Sequence, residues 1–227
     1  MTFATRLVIN TGAVLVATSS LFAQNDARQE RVAGVKPSIA DDQRLRQYQW
    51  IETTELTWNG DARPPSQRLC RFGPDGQIQK IPIGPAREPL NETREMQEYL
   101  GDVEALIGTY ALPEPHELER AYRARTVSLN PTGAVVNVVF KDYVRSGDQM
   151  TIAFDTAARK VVSVNIDTHI GPDKDAVTFR ALIASLPDGT NYVRQTVLTA
   201  GGTHLAATTT NARYRILGLA TPEQRSN

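Results

Sequence analysis

Between Lys160 and Ile170, apolar Val162, Val164, Ile166 and Ile170 alternate with polar Ser163, Asn165, Asp167 and His169. Successive side chains of an extended chain point to opposite faces, so this period makes a strand with one buried and one wetted face. The texture recurs in residues 125–129, 135–144, 149–155, 177–186, 192–199 and 205–217. Turn residues part them, including Asn130-Pro131-Thr132-Gly133, Arg145-Ser146-Gly147-Asp148 and Pro187-Asp188-Gly189, where Pro presets φ and Gly accepts positive φ. Earlier in the chain, residues 46–58 are rich in aromatic and β-branched types, which favour pleated structure. There Tyr48, Trp50, Thr54, Leu56 and Trp58 share one parity, broken by Glu52. A turn-rich stretch from Asn59 to Pro65 leads to strands at 67–72 and 77–83 around Gly73-Pro74-Asp75-Gly76. This predicts about ten strands with short connections, hence antiparallel pairing. A sheet of that size curls or closes.

One segment breaks the period. Residues 84–89 are rich in proline, Asn91 is a helix cap, and Met96, Leu100, Val103, Ile107 and Tyr110 then recur at helical spacing. Pro113 stops that helix and Pro115 opens a short second one over 116–124. The expected fold class is α+β, mostly antiparallel: a strongly curved, half-barrel-like sheet of about ten strands whose face is covered by a helical insertion at 92–124.

The chain's first residues read as a secretory signal over 1–23. Arg6 supplies the positive charge, Leu7–Phe22 carries none, Ala23 is the small residue before the cut, and Gln24-Asn25-Asp26 follows. The stretch is shorter than a spanning helix needs and is interrupted by Asn10, Thr11 and Gly12. With no Cys after Ala23, the bacterial lipid-attachment pattern is absent. The remaining plan is a flexible polar leader at 24–42, a single β-rich domain at 43–217 and a tail at 218–227. Cleavage removes one basic residue, so 24 Lys+Arg face 25 Asp+Glu. That balance offers no field for nucleic acid or anionic membrane, and no further segment could span a bilayer. Cys70 is the lone cysteine. It excludes an internal disulfide framework and reads as a small buried hydrophobe.

Catalytic and phosphate-loop motifs are missing, and nothing implies a cofactor. Asp167 and His169 share the polar parity of one strand and are the weak candidates for metal ligation, with Asp173 and Asp175 just beyond. A metal site needs three or more converging ligands, so a solvated sheet face is the plainer reading.

Three stretches carry a resemblance. They are Leu69-Cys70-Arg71-Phe72-Gly73-Pro74-Asp75-Gly76, then Phe140-Lys141-Asp142-Tyr143 running on to Phe154-Asp155-Thr156-Ala157, and Ser185-Leu186-Pro187-Asp188-Gly189-Thr190. With the signal and the Tyr48–Trp58 strand they resemble a group of uncharacterised exported bacterial β-rich proteins, which implies a periplasmic or secreted setting. The architecture is also similar to the LolA/LolB/RseB group of periplasmic lipoprotein-handling proteins, without a shared motif residue. The expected function is a non-enzymatic carrier of a lipid, lipoprotein tail or other apolar ligand. Its expected lining is Trp50, Leu56, Val162, Val164 and Ile166 on the sheet, with Leu100, Val103 and Ile107 on the lid. The alternatives are an envelope interaction module without a ligand cavity and, remotely, a metal-dependent hydrolase at Asp167 and His169.

Overall fold

The computed structural model describes residues 43–84, 94–110, 123–124, 126–171 and 175–218. The signal, the leader, residues 116–122 of the second helix, and Asp173 lie outside these. Ten strands form one curved, open antiparallel sheet. In chain order they are β1 Tyr48–Trp58, β2 Asp61–Phe72, β3 Ile78–Pro82, β4 Val127–Thr132, β5 Val135–Lys141, β6 Gln149–Asp155, β7 Lys160–Ile170, β8 Asp175–Ser185, β9 Asn191–Ala200 and β10 Leu205–Ile216. Helix α1, Arg94–Gly108, lies between β3 and β4 in the chain. The spatial order is β3-β2-β1-β10-β9-β8-β7-β6-β5-β4. The chain is thus a meander except at β1–β10, where its first and last strands pair, so β3 and β4 are the edge strands among the described residues. Among the described residues no helix is long and apolar enough to cross a membrane.

Helix α1 buries the stripe that its spacing dictates. Met96, Val103, Leu106 and Ile107, with Tyr110 just past its end, pack on Val138, Phe140, Met150, Ile152, Phe154, Val164, Ile166 and Phe179. Each large apolar side chain removed from water there stabilises the fold by about 1.5–3 kcal/mol. Glu98, Asp102 and Ala105 face solvent.

Three strand boundaries depart from expectation. Strand β2 begins at Asp61 and absorbs Pro64 and Pro65. The register with β1 slips there, from Thr54 opposite Ser66 to Leu56 opposite Arg63, and β3 pairs only with Arg68–Phe72. A bulge beside an unpaired edge is where proline costs no ladder bond. Likewise Pro131 lies in β4, an edge strand, rather than in a turn. Strand β5 stops at Lys141, short of the expected Val144, because Asp142 turns left-handed at φ 51. The N–H groups of Tyr143, Val144 and Arg145 then donate to the Asp148 carboxylate instead of a ladder.

The alternation in β7 holds only in part. A bulge puts Val161, not Val162, opposite Phe154. Val161 is buried in the core, whereas Val162 is half-buried and outside it. The extra residue reverses the side-chain faces beyond it.

Candidate functional site

Directly paired residues of antiparallel strands point to one face, so the register gives the composition of the inner face, the one that carries α1. One row runs Val138, Ile152, Val164, Ala181, Thr196, Thr209, Thr54, Ser66 from β5 across to β2. Its first four members are buried and apolar; its last four are half-buried hydroxyls. The adjacent row runs Phe140, Met150, Ile166, Phe179, Leu198, Ala207, Leu56, Arg63. It changes at the same place, from buried β8 to half-buried β9. The inner face therefore has two halves. The β5–β8 half is a packed core under α1. On the β9–β10–β1–β2 half, Leu56, Val193 and Leu198, joined by Ile183 at the boundary on β8, continue the apolar surface outward from that core and are accompanied by threonines.

Two clusters border this second half. Trp50 stacks on Tyr214 with centroids 5.5 Å apart, and Tyr192 meets Tyr214 at 4.5 Å. The indole N–H donates to Asn211 Oδ1 at 3.1 Å, and Asn211 Nδ2 donates to the Val193 carbonyl at 3.0 Å. Burial raises the Tyr214 phenol far above its ordinary pKa, with Tyr192, Cys70 and Glu52 adding to the effect. Beside the rings lies an ion cluster. Glu52 is 7% exposed and accepts from Lys80 Nζ through both carboxylate oxygens, at 2.9 and 2.7 Å. Arg68 Nη1 stands 3.8 Å from Glu52 Oε1. Cys70 is buried opposite Trp50 and Lys80, and burial raises its thiol pKa to about 11, helped by the Glu52 charge.

The expected lining is divided by this arrangement. Val103, Ile107, Val164 and Ile166 lie inside the packed core. Leu56 and Leu100 are half-buried at its margin. Trp50 is buried in the aromatic cluster, and Val162 sits at the bulge, away from the others. The threonine row and the Glu52–Lys80–Arg68 cluster are not marked by any local sequence pattern beyond Glu52 itself, a carboxylate on the apolar parity of an aromatic strand.

Asp167 is exposed and His169 half-exposed, on either side of the buried Thr168 of β7. No group of three or more His, Cys, Asp or Glu suited to a metal ion occurs among the described residues. The second half of the inner face can thus hold a ligand through apolar contact, hydroxyl hydrogen bonds and charge.

Two solved structures are remotely similar to the chain. A LolA superfamily protein from Nitrosomonas europaea is similar over 82% of this chain and 92% of its own, at 7% identity and a TM-score of 0.36. A DUF1329 family protein from Desulfovibrio piger is similar over 93% and 95%, at 8% identity and a TM-score of 0.42. The likeness is one of fold. No protein-family model and no curated protein matches the chain.

Proposed function

We propose that this chain is an exported, non-enzymatic binding protein that carries a lipid or other apolar ligand on the β9–β10–β1–β2 half of its inner face. The observation that supports the reading is the change in both rows at the β8–β9 boundary. A face that served only to complete a core would stay apolar and buried across the sheet. Here the apolar strip Leu56, Ile183, Val193 and Leu198 is half-exposed and is interleaved with hydroxyls. An apolar strip edged by a few polar groups is the usual make-up of a ligand site. Because apolar burial is non-directional, such a strip accepts acyl chains of varied length. In this reading the signal is cut after Ala23 and the product works in the periplasm or outside the cell.

Native mass spectrometry of the protein recovered from periplasm tests both parts. The expected spectrum shows a chain beginning at Gln24 with bound lipid that organic extraction removes. A ligand-free protein that also fails to take up added lipid would overturn the carrier reading.

A second reading, an envelope interaction module, is favoured by one feature. Ile81 on edge strand β3 and the adjoining Ile83 are 43% and 45% exposed, and an uncovered strand edge is a template for pairing with another chain. A protein partner released by Ile81→Lys, with no lipid bound, would favour it.

A further inference from the structure

Resting on that carrier reading, we propose that the inner face also contains an anchor for a singly charged oxyanion head group, centred on Arg68, so that the ligand is an anionic amphiphile. Opposite pairing puts Arg68 beside Glu52 and Arg63 beside Leu56, on the face that carries the apolar strip. Lys80 reaches the same carboxylate from β3 and engages both of its oxygens. One carboxylate therefore meets two cations, and both of its oxygens accept from Lys80. The other carboxylates near these strands, Glu55, Asp61 and Asp75, are exposed.

Arg68 is left with charge to spare. Its side chain is 20% exposed, its contact with Glu52 at 3.8 Å is beyond hydrogen-bond reach, and its guanidinium makes no hydrogen bond among the described residues. A guanidinium held largely out of water without an acceptor is unfavourable. Its fork of donors fits two oxygens of a carboxylate or phosphate in parallel. Arg63 repeats the pattern on the same strand, since its Nε is buried with no hydrogen-bond partner. The surplus next to Glu52 is one positive charge, which matches a fatty-acid carboxylate or a phosphodiester, each carrying one negative charge. Leu56, Val193 and Leu198 then take the acyl chain. A neutral lipid would leave the Arg68 donors unpaired, so the site discriminates by head group as well as by apolarity.

The test titrates the full mature chain with hexadecanoate, phosphatidylglycerol and hexadecanol, reading intrinsic tryptophan fluorescence. At least one anion is expected to bind roughly tenfold or more tightly than hexadecanol, the scale of a charge-assisted hydrogen bond. Whichever anion is preferred identifies the head group as carboxylate or phosphodiester. Arg68→Gln is expected to abolish the preference by lowering anion affinity to the level of hexadecanol, and Arg68→Lys to keep part of it. Equal binding of all three by the wild-type chain overturns the anchor but leaves the carrier reading intact. Binding of none overturns the carrier reading itself. Because the wild-type comparison needs no variant, a poorly folding Arg68→Gln does not decide the matter.

Discussion

The Tyr110 hydroxyl donates to Asp148 Oδ2 at 2.6 Å, and so ties the chain just beyond α1 to the loop between β5 and β6. The carboxylate is 3% exposed and also receives the N–H groups of Tyr143, Val144 and Arg145. Thr168 Oγ1 lies 2.6 Å from the same phenol oxygen. With the phenolic hydrogen committed to the carboxylate, the threonine hydroxyl is the donor in that contact. Tyr110→Phe keeps the ring and its packing but deprives a buried carboxylate and a buried hydroxyl of a partner. It is expected to cost about 1–3 kcal/mol, read as a lower midpoint in urea unfolding with an unchanged slope. A midpoint equal to wild type would mean that water replaces the phenol.

The same pair sets limits on stability at both ends of the pH scale. Burial alone would raise the Asp148 carboxyl, but the hydrogen bonds from Tyr110, Arg145, Val144 and Tyr143 outweigh it and hold the group below its ordinary 3.8. Its contribution is therefore present above that value and is lost as pH falls through the lowered one. For Tyr110, burial and the bond to Asp148 push the phenol up to about 12 from 10.0. The neutral form is the one stabilised, so this contribution is complete below pH 10 and disappears between 10 and 12. Melting temperature should fall over that alkaline interval in the wild type and fall less in Tyr110→Phe.

Much of the sheet is legible in the sequence because period two survives wherever a strand has one wet face. Boundaries are less so, since they depend on partners: Pro64 and Pro65 join β2 only because the neighbouring edge there is empty. The face of Val162 departs from its sequence parity because a bulge is set by pairing with β6, which local alternation does not encode. This is open to measurement. Val161→Ala is expected to destabilise by roughly 2 kcal/mol as a core truncation, and Val162→Ala by under about 1 kcal/mol. Equal costs would place both side chains on comparable ground and contradict the bulge. The candidate site was harder to read still. Thr54, Thr196 and Thr209 lie on three strands far apart in the chain, and only their register lines them up.

Cys70 is fully buried and its thiol is raised to about 11 by desolvation and by the Glu52 charge. The thiolate is the reactive species, so the folded protein should not react with a thiol-exchange reagent at pH 8, and should react stoichiometrically once unfolded in urea. Rapid labelling of the folded protein would show that β1 and β2 open locally around Trp50 and Cys70.

Glu52 and Lys80 show why a buried ion pair is better judged by how it is broken than by its presence. Side-chain exposures of 9% and 17% mean that both charges have lost most of their water. Lys80→Met leaves the carboxylate with Arg68 at 3.8 Å and no hydrogen-bonded cation, and is expected to cost about 3 kcal/mol. Glu52→Leu with Lys80→Met removes both members of the hydrogen-bonded pair. On desolvation grounds the double variant should be more stable than Lys80→Met alone. A urea-unfolding cycle over the two singles and the double gives the coupling directly. If the double variant is instead the least stable of the three, the cluster holds β1, β2 and β3 together through its charges, and their role in the fold is larger than burial alone assigns.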